Sequence, residues 1–264
     1  MTMDHVNGKP TRRVATLCFA AVLAAATIGA AAQAPEPRRY ALMSLIGDSF
    51  TVVERQELTG SRLDRNTQTE IPLKSDVFDR AALGVADDLL RKADPRANPT
   101  SLLLDEPALY AQQQKLFDGR FVRLPTAIVK AAQGGGATHM LLITKHRSPA
   151  AFKLVDATVG QGSLTGLGFY VEPDTRLRNV NSKESSTGFL GVFAVYRITI
   201  VELATEAVVG EQNVAFTKIF TTTGAHAKGG HPWLALDAKE KLKVIADMLM
   251  QSLREVLPPL LAQK

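Results

Sequence analysis

The chain has 264 residues, with 31 Lys and Arg against 26 Asp and Glu, a net charge of +5 and 45% hydrophobic residues. That length supports one sizeable apolar core. The basic clusters at Arg38-Arg39, Arg91 to Arg96 and Arg176 to Arg178 are not interleaved with aromatic residues, so a nucleic-acid partner is not expected.

Residues 1–32 read as an export signal. Lys9, Arg12 and Arg13 precede an Ala-rich apolar run from Val14 to Ala32 that closes on Ala30-Ala31-Ala32. Small residues at −3 and −1 suit a signal peptidase, so cleavage is expected between Ala32 and Gln33. The run of 19 residues is almost long enough to remain as an anchor. Its Ala content and small-residue ending favour cleavage, with no stable membrane insertion afterwards and a periplasmic or secreted product. The only cysteine, Cys18, leaves with the signal, so the mature chain carries no disulfide, thiol nucleophile or thiolate metal site. Loss of Lys9, Arg12, Arg13 and Asp4 takes the net charge from +5 to +3.

Residues 33–39 form a short, Pro-containing leader expected to be disordered, followed by one domain over 40–264. Tyr40 to Ile46 and Phe50 to Glu57 read as strands joined through Gly47-Asp48-Ser49 as a hairpin. Thr59 to Asn66 is a polar loop, and Thr67 to Leu73 suits a third short strand. A helix from Ser75 or Asp76 to about Lys92 places Phe78, Ala81, Ala82, Val85 and Leu89 on one face, opposite Asp79, Arg80, Asp87 and Arg91. A short strand at Ser101 to Leu104 follows. Helices from Pro107 to about Phe117 and from Pro125 to Gln133 come next.

Thr138 to Thr144 is apolar on both faces in its middle, as a strand covered on both sides should be. Phe152 to Val159, Gly168 to Glu172, Gly191 to Leu203 and Ala207 to Phe220 continue the β character, with Asn179 to Thr187 as a polar loop. The last pair forms a long hairpin turning at Ala204-Thr205-Glu206. Asp237 with Glu240 makes a capping-box pattern. Leu242, Ile245, Leu249, Leu253 and Val256 then form the stripe of a final helix that Pro258-Pro259 should end. Together these elements predict a single α+β (or α/β) domain: a mixed sheet with helices packed on it, a long hairpin and a C-terminal amphipathic helix.

Candidate chemistry is sparse. Gly160-Gln161-Gly162 and Gly166-Leu167-Gly168 are followed by β-type Phe169-Tyr170-Val171 rather than a helix, so they do not form a phosphate cradle. Gly162, Gly166, Phe169 and Tyr170 are the candidate binding residues of a small-ligand reading. His139 suits a core position. His226 and His231 lack a nearby third ligand, so no metal site is expected, and no cofactor is implied.

Leu45 to Phe50 (LIGDSF) is similar to the first block of GDSL-type hydrolases. That resemblance implies Ser49 as nucleophile, with His231 before the final helix as base. Lys228 stands where the family's late block has Asp, no G-x-N-D block follows, and the segment after Ser49 reads as strand where the family has helix. By turn chemistry alone, Gly47-Asp48-Ser49 is simply a turn. As a whole the chain resembles uncharacterised exported bacterial proteins opening with a segment like Ala41 to Val53. Gly136 to Ile143 and Arg197 to Gln212 are loosely similar to the TolB amino-terminal domain and curli-secretion lipoproteins. This similarity implies an envelope domain working by protein contact. The expected function is therefore a non-enzymatic envelope binding or assembly module, with an envelope protein or cell-wall component as partner. The alternative is a serine esterase using Ser49 and His231.

Intact-mass analysis of the chain expressed with its leader and released from the periplasm should show a product beginning at Gln33. Retention of full-length mass in the membrane fraction would reverse the cleavage expectation.

Overall fold

The structure, a computed structural model, describes residues 38–56, 64–104, 106–178, 185–221 and 230–262. The expected signal, its cleavage point, His226, Lys228 and the 179–184 part of the polar loop lie outside the described residues. The first strands are β1 (Tyr40–Leu45), β2 (Ser49–Glu54) and β3 (Thr67–Pro72), followed by α1 (Val77–Ala93) and β4 (Thr100–Leu102). Then come α2 (Pro107–Gln112), running into a 3-10 turn at Gln113–Leu116, the small hairpin β5 (Phe117–Asp118) and β6 (Phe121–Val122), and α3 (Thr126–Gly134). Next are β7 (His139–Lys145), β8 (Arg147–Pro149), β9 (Phe152–Lys153) and β10 (Thr158–Val159). The long strands β11 (Ser163–Arg178), β12 (Ser185–Glu202) and β13 (Val208–Thr221) precede a 3-10 turn at Pro232–Ala235 and the closing helix α4 (Ala238–Leu261).

Strand β12 organises the sheet. Its middle is apolar on both faces, which is the composition of a strand covered on both sides. One edge pairs antiparallel with β13 along most of its length. The other edge pairs with two strands in succession: β11 reaches Val195 through Gly166, and β7 begins at Tyr196 through Lys145. Strands β7 and β11 therefore lie end to end, and residues 146–165 are looped out between them. The next column repeats the arrangement. Strand β1 runs parallel to β7, and β2 runs parallel to β11.

This overturns the predicted hairpin between β1 and β2. The two strands do not pair with each other; they follow one another along the same side of the sheet, interrupted only at Ile46 to Asp48. Strand β2 instead forms its antiparallel pair with β3. The long β12–β13 hairpin appears as predicted, with Glu206 in a left-handed conformation at its turn (φ 60°). Strand β12 begins inside the expected polar loop, at Ser185.

Helices α1 and α4 cover one face of the sheet, packing on Leu42, Leu141, Ile143, Tyr196 and Ile198. Helices α2 and α3 cover the β1–β7 half of the opposite face, packing on Met43, Leu45, Met140 and Leu142. The 147–164 insertion covers the β11 half of that face, centred on Phe152, Tyr170 and Phe193. The result is one α+β domain built on a mixed sheet.

Helix α4 has its capping box, with Asp237 accepting from Glu240 N–H and Glu240 accepting from Asp237 N–H, both at 2.8 Å. Two details differ from the sequence reading. The buried stripe is rotated to Ile245, Met248, Leu249, Ser252, Leu253, Leu257 and Leu260, leaving Leu242 43% exposed. The helix also continues through Pro258-Pro259. The prolines remove two late hydrogen bonds, but burial of Leu257 and Leu260 outweighs that loss and holds the last turn in place. Buried Ser252 shares a 2.7 Å hydrogen bond with the Tyr196 hydroxyl, tying α4 to the centre of β12.

The rotation can be measured. Leu253→Ala should cost about 2–5 kcal/mol in urea unfolding, whereas Leu242→Ala should stay within about 0.5 kcal/mol. Equal costs would restore the stripe expected from the sequence.

Candidate functional site

The interruption in both strand columns creates the site. Beyond Met43, β4 no longer borders β1, so the Ile46 and Gly47 N–H groups need acceptors from elsewhere. Asp79, in the first turn of α1 and 1% exposed, supplies them. Its Oδ1 accepts from Ser44 Oγ at 2.6 Å and from the N–H groups of Ile46 and Gly47 at 3.1 Å each. Its Oδ2 accepts from the Tyr110 hydroxyl at 2.9 Å. A Cβ on Gly47 would collide with this carboxylate, so the position requires glycine. Burial pushes the Asp79 carboxyl above its ordinary range, and the hydrogen bonds offset only part of that rise. Burial first, and then the Asp79 charge, push the Tyr110 phenol upward.

Lys145 bridges the break from the other column. Its Nζ donates to Ser49 Oγ at 2.7 Å and Glu70 Oε1 at 3.0 Å, and stands 2.8 Å from Asp48 Oδ1. The Asp48 contact is an ion pair without hydrogen-bond alignment. The Ser49 hydroxyl donates to Glu70. Glu70 is held below the usual carboxylate range, first by the Ser49 hydrogen bond and then by Lys145. The Lys145 stem passes 3.2 Å from where a Cβ on Gly166 would lie, and Gly166 adopts φ +70°. The backbone of Lys145 is gripped as well: its N–H donates to Gln113 Oε1 at 2.7 Å, and its carbonyl accepts from Gln114 Nε2 at 2.6 Å.

Two cavities open beside this break. The larger, 890 Å³, lies against the start of α1 and is lined by Gly47, Leu73, Lys74, Leu103, Glu106 and Tyr110 among others. The second, 500 Å³, holds Ser49, Glu70, Gln114 and Lys145. They share four lining residues: Asp48, Pro72, Pro107 and Tyr110.

The cluster brings one amine, two carboxylates and a hydroxyl together. Glu70, its basicity lowered, is a weak base for Ser49. The Ser49 hydroxyl lies between Glu70 and Lys145, donating to Glu70 and accepting from Lys145.

The sequence-proposed residues fall in different places. His231 caps the second 3-10 turn, where its Nδ1 accepts from Trp233 N–H at 3.2 Å, whereas the Ser49 hydroxyl partners are Glu70 and Lys145. Gly162 lies beside Asp64, whose carboxylate accepts from the Ser163 N–H and hydroxyl. Phe169 is fully buried against Phe50 and Trp233. Tyr170 is fully buried on the opposite face against Phe152 and Phe189, and its hydroxyl accepts from Gln161 N–H. Gly166 alone of the four binding candidates adjoins the break. Asp79, Glu70, Tyr110 and Lys145 were not singled out as a site from the sequence. Asp79 was assigned to the outer face of α1, but it begins a stripe with Ala82, Leu83, Ala86 and Leu90, all buried. That i, i+3, i+4, i+7 spacing was its signal.

Among the described residues no group of three or more His, Cys, Asp or Glu could hold a metal, and no helix is long and apolar enough to cross a membrane. No protein-family model matches the chain, and no curated protein matches it. Solved structures give low-scoring similarities. A neuraminyllactose-binding hemagglutinin homolog from Helicobacter pylori is 7% identical, with 88% of this chain and 87% of that chain covered and a TM-score of 0.38. The PelC dodecamer from Paraburkholderia phytofirmans is 13% identical over 86% and 89%, at 0.28. The LpoB C-terminal domain from Salmonella enterica is 12% identical over 70% and 87%, at 0.20. At these scores the similarities assign neither activity nor ligand.

Asp79→Ala leaves four donors without an acceptor and should cost about 3–5 kcal/mol. Asp79→Asn keeps the Oδ1 contacts and reverses only the Tyr110 bond, so its cost should be about 1 kcal/mol. The pH dependence separates the two carboxylates. With its folded pKa raised, Asp79 favours the fold most below its unfolded value of about 3.8, and that contribution is lost as pH rises through the folded value. Glu70 has the opposite sign: its lowered pKa stabilises above the unfolded value and is lost as pH falls through the folded one. Urea unfolding between pH 4 and 7 should show Asp79→Asn gaining stability relative to wild type as pH rises. A constant difference across that window would mean that Asp79 is not the titrating group.

Proposed function

We propose that this chain is a non-enzymatic binding module of the bacterial cell envelope, and that the sheet break is its binding face. The supporting observation is where the larger cavity lies. From β1 the chain passes through β2 and β3 and then α1, on one face, to β4 on one side of β1. It then passes through α3, on the opposite face, to β7 on the other side. The carboxyl end of β1 is thus a local topological switch point, the place where open α/β sheets bind ligands. Gly47 and Asp48 of the 890 Å³ cavity are at that end. The Lys145 cluster, one amine facing two carboxylates, suits recognition of a charged partner. The export-type leader supports an envelope location, with an envelope protein or cell-wall component as partner.

Treatment of the purified protein with a fluorophosphonate probe, alongside Ser49→Ala, tests the non-enzymatic reading. No labelling of either protein is expected. Labelling that disappears in Ser49→Ala would show an activated serine and establish the hydrolase alternative.

A further inference from the structure

The two cavities meet across a narrow bridge. Asp48 and Pro72 form one side of it, and Pro107 and Tyr110 form the other. The Tyr110 side is the weaker. Helix α2 is six residues long and buries only Leu109. Tyr110 itself is half-buried and is fixed by one hydrogen bond to Asp79. The following turn is fixed to β7 by Gln113 and Gln114 through backbone contacts with Lys145. Leu109 and Leu116 anchor this wall in the apolar cluster, and the rest of its hold is polar, at Tyr110, Gln113 and Gln114; a short element fastened in this way can open locally.

Charge adds a second constraint. The chain is basic overall, at +5. The joint lining of the cavities leans the other way: Asp48, Glu70, Asp76 and Glu106, with Asp79 buried beneath, stand against Lys74, Arg80 and Lys145. Arg80 is matched by Asp76, and Lys145 faces both Asp48 and Glu70. Exposed Glu106 adds a further carboxylate to the first cavity, and Glu70, 62% exposed, contributes to the second. Leu73, Leu103 and Leu104 give the first cavity an apolar floor. Methylene stems lie on such a floor while their ammonium groups reach carboxylates at the rim.

We propose that the two cavities are halves of one trough for an extended basic polypeptide segment, and that Tyr110 is the gate between them, latched by Asp79. This rests on the binding reading above and specifies its partner. Opening α2 breaks the Tyr110–Asp79 bond and joins the halves across the sheet break. A segment lying across both then places cationic side chains near Glu106 and Glu70.

The test uses the mature protein and two fluorescein-labelled heptapeptides, one alternating Lys with Leu and the other Glu with Leu. Fluorescence anisotropy should show binding of the Lys peptide, weakened by added salt, and none of the Glu peptide. Glu106→Gln and Glu70→Gln should each weaken binding by about two- to fivefold, the range for exposed charge pairs. Tyr110→Phe, which removes the latch, should tighten binding by about threefold or more. It should also speed hydrogen exchange at residues 108–116 while leaving α4 exchange unchanged as a control for folding. The trough is overturned if the Lys peptide does not bind, if both peptides bind alike, or if only one of the two Gln variants weakens binding. The gate is overturned if Tyr110→Phe changes neither affinity nor exchange at 108–116. Those results would leave the non-enzymatic reading intact, since only serine labelling decides that point.

Discussion

One buried carboxylate determines how β1, the kink after it and α1 are laid out. Asp79 takes the place of a strand at the outer edge of Ile46 and Gly47, accepting the two backbone N–H groups that β4 is too short to reach. With those donors satisfied, the chain does not have to reverse at Gly47-Asp48-Ser49. It takes a short kink and continues as β2 along the same side of the sheet. The same carboxylate joins three elements, because Ser44 belongs to β1, Tyr110 to α2 and Asp79 itself to α1. Its burial is costly, and four hydrogen bonds are what make that burial tolerable.

The neighbouring column makes its own interruption, and Lys145 joins the two. Because pairing with β12 passes from Lys145 of β7 to Gly166 of β11, the intervening residues leave β12 just where Asp48 and Ser49 approach from the other side. Beneath this junction the core itself divides. Met140, Leu142 and Val201 belong to one apolar cluster and Phe193 and Val195 to another. Between them β12 carries Arg197, opposite Thr144 on β7, and Thr199, opposite Leu142. Arg197 lies with its guanidinium carbon 3.3 Å from the centroid of the Phe117 ring, and its buried Nε lacks a protein partner, as do the hydroxyls of Thr144 and Thr199. The polar seam and the strand breaks coincide, so the sheet is continuous through β12 while its two halves are packed by different elements.

Much of this was legible in the sequence, and the misses have specific causes. The both-faces-apolar run at Thr138 to Thr144 marked β7, and the Asp237–Glu240 pair marked the start of α4, because each pattern is local. The β1–β2 interruption was misread because Gly, Asp and Ser carry the same turn preference whether the chain reverses or only kinks. What distinguishes the two is Asp79, some thirty residues away in sequence. Asp79 in turn was assigned outward by residue type, although its helical spacing placed it with Ala82 and Ala86. The prolines of α4 were read as a stop because their missing N–H groups are visible in sequence, whereas the docking of Leu257 and Leu260 that outweighs them is not. Phe169 and Tyr170 were considered for binding because they follow a glycine-rich stretch. On adjacent positions of a strand covered on both faces, each is committed to a different layer of core.

The same reasoning explains why a Gly-Asp-Ser sequence does not by itself make a catalytic serine. A nucleophilic hydroxyl needs a neighbouring base with a free lone pair and a geometry that exposes the oxygen. At Ser49 the neighbouring nitrogen, Lys145 Nζ, also faces the carboxylates of Asp48 and Glu70, and the residue begins a strand paired on both sides by β3 and β11. What the arrangement supplies is fixed charge beside an open cavity, at the end of a strand where the crossing helices part to opposite faces. Fixed charge of this kind selects partners by sign and shape. Helix α2 is the wall best placed to yield when a partner enters, because it is six residues long and is fastened to Asp79 and the Lys145 backbone by a few hydrogen bonds.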